Sequence, residues 1–158
     1  MRYFYDCEFI EDGKTIDLIS IGIVAEDGRE LYMQSTEFDA TKASEWVQEN
    51  VLPHLEELYF SRQIMKERIL SFMDPLLYGK PELWGYYSAY DHVAFCQLFG
   101  TMMDLPKAFP MYTRDIKQWC DTLGNPQLPS PGKGEHNALA DARWNKVAWE
   151  FLRDREVQ

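Results

Sequence analysis

"RYFYDCEF", Arg2 to Phe9, decides more of the fold than any other eight residues of the chain. Its aromatic side chains suit a pleated surface, so it reads as a strand that starts almost at the first residue. Side chains two apart in a strand share a face, which puts Asp6 and Glu8 together and turns Cys7 the other way, toward a core. An isolated Asp-x-Glu is most often a solvated pair near a turn. Its neighbours must decide whether this one is more.

Working outward, "IDLISIGIVAEDGRELYMQS" (Ile16–Ser35) reads as two strands joined at Asp27 and Gly28, a turn pair that supports a hairpin. Ser44 is placed to cap a short helix through Val51. From Ser61 to Met73, Ile64, Ile69, Leu70 and Met73 recur near a helical repeat that Pro75 and Gly79-Lys80-Pro81 close. "ELWGYYS" (Glu82–Ser88) predicts a fourth strand, followed by a helix over Asp91–Phe99. "FPMYTRDI" (Phe109–Ile116) supplies a short fifth strand, and "IKQWCDTLG" a helix stopped by Gly124. "NPQLPSPGKGE" (Asn125–Glu135) is a loop by its prolines and glycines, and a last helix runs from Asn137 to Arg155. This order predicts one α/β domain over residues 1–158, a mixed sheet with flanking helices.

Global composition narrows the function classes. With 158 residues, 46% of them hydrophobic, the chain can bury a sizeable core. A formal charge of -10 argues against coating a long nucleic-acid duplex, which needs many cationic phosphate contacts. It leaves room for a short anionic substrate held through bound cations. Cys7, Cys96 and Cys120 lack any Cys-x-x-Cys spacing and are too few for a disulfide scaffold, so a reduced, cytoplasmic setting is expected. No stretch is apolar enough to span a membrane. Asp6 and Glu8 arrive too early for a secretory signal, so the chain is expected to begin at or near Met1.

"HNALADA" (His136–Ala142) returns to the question of the acidic pair. Asp141 falls on the same helical side as Trp144, Ala148 and Phe151, where a lone carboxylate is costly to bury. Adjacent carboxylates repel and raise one another's proton affinity, a penalty that a divalent cation between them removes. Asp91, at the start of another helix just beyond a strand, adds a fourth. If the segments meet, Asp6, Glu8, Asp91 and Asp141 could hold two hard cations through oxygen. Ions roughly 3.5–4 Å apart stabilise the attacking and leaving oxygens of a phosphoryl transfer.

"DCE" at Asp6–Glu8, "YD" at Tyr90-Asp91 and "HNALADA" resemble the three motifs of the DEDD exonucleases, in the subgroup that uses histidine. "FYDCEFIEDGKTIDLISIGIV" and "WGYYSAYDHVAF" resemble, more closely, the small bacterial 3′-5′ exoribonuclease family first recognised in mycobacteria. The resemblance implies a ribonuclease H-like fold, a homodimer, and stepwise removal of nucleoside 5′-monophosphates from single-stranded or overhanging RNA 3′ ends with two Mg²⁺ or Mn²⁺ ions. It also implies that Asp6 bridges both metals and that Glu8 and Asp141 serve the metal on the nucleophile side. Asp91 then supports the second metal, and His136 accepts the proton of the attacking water. The same chemistry would act on single-stranded DNA, and a non-catalytic nucleic-acid-binding or interaction module is a different class that loss of one of these acids would favour.

Substrate contacts are less defined. Phe9, Trp84, Tyr87 and Tyr90 could stack on bases at about 1–3 kcal/mol each, although most aromatics in such a chain are core residues, and Tyr90 is expected to be structural. Many relatives have Asn at the position of Tyr87 and a small hydroxyl residue at that of Ile10, so these two bear on recognition of the terminal sugar and base. Lys133 could reach a phosphate from the Pro/Gly-rich loop, but without the full phosphate-loop spacing it is more often simply solvated. His92 could contact substrate or be an ordinary polar helix position, and His54 is expected to cap or solvate the end of the first helix.

Overall fold

The strand that opens the chain is paired on both sides. In the computed structural model, which describes residues 1–133 and 136–157, β1 (Arg2–Glu11) runs antiparallel to β2 (Ile16–Ala25) and parallel to β5 (Glu82–Gly85). β2 turns into β3 (Glu30–Ser35) through the expected hairpin, where Gly28 adopts φ +94°, a conformation free of Cβ clash only for glycine. Two short strands, β4 (Tyr59–Phe60) and β6 (Arg114–Asp115), complete the order β4-β3-β2-β1-β5-β6.

β4 was not expected, since two residues carry no period. It is held against β3 by the Gln34 side chain, which accepts the Glu56 amide at 2.7 Å and donates to the Glu56 and Leu58 carbonyls. β6 keeps only two residues of the expected Phe109–Ile116 strand, and β5 stops at Gly85 rather than Ser88.

Six helices flank the sheet among the described residues: α1 (Glu45–Asn50), α2 (Arg62–Phe72), α3 (Pro75–Tyr78), α4 (Ala89–Gln97), α5 (Ile116–Thr122) and α6 (Ala138–Glu156). Ser44 and Ser61 cap α1 and α2 by accepting from the Val47 and Ile64 amides. Pro75 starts a further turn, α3, instead of only ending α2, because a first-turn proline loses no helical hydrogen bond. α4 begins two residues earlier than expected, so Asp91 lies in its first turn. The expected Asn125–Glu135 loop has no helix or strand through Lys133, and Gly134 and Glu135 lie outside the described residues.

Each face of β1 feeds its own core. Tyr3, Tyr5 and Cys7 pack with Met65 and Ile69 of α2 and Phe95 of α4, so Cys7 is a core residue as its position in the strand requires. Phe4 faces the other way, onto Ile116 and Cys120 of α5 and Ala148, Trp149 and Leu152 of α6. Burying each large side chain contributes roughly 1.5–3 kcal/mol, which fixes β1 as the central plane of the molecule. A mixed sheet with helices on both faces is the expected ribonuclease H-like architecture. Among the described residues, no helix is long and apolar enough to cross a membrane.

One glycine sets how close α6 comes. A Cβ at Gly22 of β2 would lie 2.5 Å from the backbone of Ala138 and Leu139, so only glycine lets the first turn of α6 rest on the sheet. Gly22 is paired directly with Asp6.

Candidate active site

Three carboxylates converge where α6 meets β1. Asp6 and Glu8 leave the strand on one side, and Asp141 reaches them from the first turn of α6; one oxygen from each lies within 4.8 Å of the others. A register slip follows at once: Glu8 pairs with Ser20, but Phe9 pairs with Leu18. The extra residue is Ile19 of β2, so β1 keeps its alternation: Phe9 stays with the first core, and Ile10, on the face of Asp6 and Glu8, enters a third core with Ile19, Ala43 and Val51.

The cluster is electrostatically strained without a cation. Burial, followed by repulsion from Asp91, Glu8 and Asp141, holds the Asp6 carboxyl well above its ordinary range. Glu8 is pushed up to about 8, first by burial, then by Asp141 and Asp91 and by a hydrogen bond shared with Asp141.

Asp91 stands just outside the three-carboxylate cluster. Its Oδ1 accepts the Cys7 amide at 2.9 Å, beyond the last β1–β5 pair at Phe4 and Trp84, so the side chain takes over where β5 has ended. Its carboxyl is pushed up to about 7 by burial, against the lowering effect of that bond and with repulsion from Asp115 and Asp141. Asp115 itself binds the Tyr87 and Ser88 amides at 3.2 and 3.0 Å and so fixes the approach to α4.

His136 reaches the same place from the other side. Asp6, Asp141 and His136 line one cavity of about 410 Å³, together with Tyr86, Pro131, Trp144 and Asn145. His136 adopts φ +67°, a backbone conformation that side chains rarely take, immediately before the Asn137 cap of α6. Its ring meets Trp46 of α1 edge to face, with centroids 4.7 Å apart.

The residues considered for substrate contact are placed more widely. Phe9 packs against the first core and edge to face on Tyr90, and Ile10 is 3% exposed in the third core. Trp84 lies among Trp119 and Trp149 and donates to Glu82 at 2.6 Å, outside the carboxylate cavity. Tyr87, at φ +51°, is 66% exposed with its ring against Tyr86. Lys133 is exposed beside a second cavity that shares Pro131, Asp141 and Trp144 with the first.

Tyr90, in the first turn of α4, is 49% exposed, with its ring edge to face on Phe9. The ring nitrogen Nε2 of His92 lies 3.2 Å from the Met111 carbonyl, tying α4 to the following loop, and His54 lies exposed in the turn after α1.

Four residues escaped the reading of the sequence. Tyr86 and Trp144 meet at a near right angle, 5.0 Å between centroids, and wall the cavity. Tyr86 lies two positions after Trp84, and Trp144 had been read only as part of the helix's apolar side. Asn145, one turn beyond Asp141, and Trp46, ninety residues before His136, gave no signal, because only the tertiary fold brings them in.

An all-oxygen set of converging carboxylates, in which burial and repulsion disfavour the anions of Asp6 and Glu8, fits a hard divalent cation. Residues 1–153 match the family described as the 3′-5′ exoribonuclease Rv2179c-like domain. The chain is 50% identical over 147 residues to 3′-5′ exoribonuclease Rv2179c of Mycobacterium tuberculosis strain H37Rv, covering 90% of this chain and 88% of the relative. The same figures hold for 3′-5′ exoribonuclease MT2234.1 of Mycobacterium tuberculosis strain CDC 1551. The chain therefore belongs to the Rv2179c-like 3′-5′ exoribonuclease family.

Proposed function

We propose that the protein is a two-metal 3′-5′ exoribonuclease that removes nucleoside 5′-monophosphates from accessible single-stranded or overhanging 3′ ends. The observation that carries this reading is the convergence of Asp6, Glu8 and Asp141 within 4.8 Å, in a site whose adjoining cavity is also lined by His136. Mg²⁺ or Mn²⁺, when bound, supplies charge neutralisation at the phosphate and lowers the pKa of water. Asp6, Glu8 and Asp141 would hold the cations, with support from Asp91, whose carboxylate also accepts the Cys7 amide. His136 accepts the proton of the attacking water. Tyr86 and Trp144 offer the terminal base an apolar wall. The proposal extends to one exonuclease domain over residues 1–158, working as a cytoplasmic homodimer.

End-labelled RNA and matched DNA, incubated with Mg²⁺, Mn²⁺ or chelator and resolved by length, test the reading. Stepwise shortening of RNA from a free 3′ end, stopped by chelator and by a blocked 3′ end, is expected. Ready cleavage of circular RNA, or shortening from the 5′ end, would replace it with another nuclease class.

A further inference from the structure

Ligands from β1 and α6 can share a cation only if the two elements are held in one register, and the mutual repulsion of ionised carboxylates works against that register. The Asn145 side chain is nearly fully buried and lines the cavity. Its Nδ2 donates to the Tyr5 carbonyl at 2.9 Å, across 140 residues of sequence. Tyr5 immediately precedes Asp6, and Asn145 lies one helical turn after Asp141. The single bond therefore joins the backbone beside one ligand to the helix that carries another. Gly22, paired with Asp6, forms the other half of the seat by letting Ala138 and Leu139 touch the sheet.

We propose that Asn145 is a positioning residue, which with Gly22 sets the distance and register between Asp6 and Asp141. Buried polar groups are retained only with a partner, and an apolar residue at this depth would pack against the sheet without specifying where along β1 the helix stops. Asn145 acts through the two carboxylates and does not touch the reacting atoms. The inference rests on the carboxylate reading above.

Asn145→Leu keeps the number and branching of side-chain heavy atoms, at a larger volume, and removes the bond, and Asn145→Ser keeps a polar group that cannot reach Tyr5. Ala148→Gly loosens the same helix one turn further on, at a fully buried position outside the cavity. The measurements are calorimetric Mn²⁺ titration, melting in chelator, and kcat and KM on a short RNA. Both Asn145 variants should bind Mn²⁺ about tenfold more weakly, with kcat reduced and KM for RNA unchanged. Ala148→Gly should melt lower but bind Mn²⁺ as the unaltered protein does. Normal Mn²⁺ affinity and kcat in the Asn145 variants would overturn the proposal, as would an equal loss in Ala148→Gly. If the unaltered protein bound no Mn²⁺, the carboxylate reading itself would fall, and the inference with it.

Discussion

β1 and the segment that delivers His136 serve one site by opposite means. β1 is hydrogen-bonded to β5 over residues 2–4 and to β2 over residues 3–11, including at Asp6 and Glu8, where the Asp91 side chain takes the other side through the Cys7 amide, and its faces are packed into cores. His136 ends a stretch of prolines and glycines without helix or strand in its described part, and it meets the site at a left-handed backbone angle with its ring against Trp46. The difference fits the chemistry proposed for each. Mutually repelling carboxylates stay together only on a rigid frame, whereas a proton acceptor needs correct placement only when substrate is present. Asp141 belongs with the frame, because Gly22 and Asn145 seat its helix on the sheet.

The hardest blow to the rigid half is Asp6→Ala. It removes a group from the centre of the cluster, and activity should fall by at least about three orders of magnitude, equivalent to roughly 4 kcal/mol of transition-state stabilisation. Divalent-ion binding should weaken in parallel. Melting in chelator should be unchanged or higher, since a self-repelling buried carboxylate has been taken away. Calorimetric metal titration beside an activity assay decides it, and normal metal affinity in this variant would remove Asp6 from the metal site.

His136→Ala strikes the other half and should separate rate from binding. General-base contributions span about 10²–10⁴-fold, so single-turnover cleavage at saturating RNA should drop within that range while Mn²⁺ and RNA affinities hold. Near-normal turnover would reject the proton-acceptor role. Loss of Mn²⁺ affinity equal to that of Asp6→Ala would make His136 a part of the frame and erase the contrast.

The same contrast explains what could be read from the sequence. Asp6 and Glu8 were legible because strand alternation puts residues two apart on one face, and Asp141 because helical periodicity set it on an apolar side. The hairpin announced itself through Asp27-Gly28, and α6 begins at Ala138 behind its Asn137 cap, within one residue of the expected start. The bulge that leaves Ile19 of β2 unpaired was not legible, nor was the separate core of Ile10 and Ile19, because Ala43 and Val51 come to it from another part of the chain. Trp46 and Asn145 act across distances of 90 and 140 residues, through contacts that no local period encodes. β4 was hidden for a related reason, since the Gln34 side chain that fastens it lies on another strand.

The smallest expected effect is on stability, and it belongs to the rigid half alone. In the absence of metal, Glu8 is raised to about 8 and Asp91 to about 7, so the folded protein retains protons that the unfolded chain has already released. Stability from these groups is complete below the ordinary carboxylate range and is lost as pH climbs through 7 and 8. Asp27, Glu30 and Asp39 are shifted the opposite way, by Arg29, Arg143 and Thr41, so their contribution disappears on acidification instead. The chelated protein should therefore melt highest near roughly pH 5 and progressively lower toward pH 8, by about 2–4 °C for each kcal/mol lost. Mn²⁺ should restore melting most strongly at the alkaline end, because it binds the deprotonated carboxylates whose repulsion is the cause. Glu8→Gln should flatten the upper part of the curve. Differential scanning calorimetry across that range, with and without Mn²⁺, reads all of these. A melting temperature in chelator that stays level or rises from pH 5 to pH 8 would mean that the carboxylates of the frame are not strained by one another.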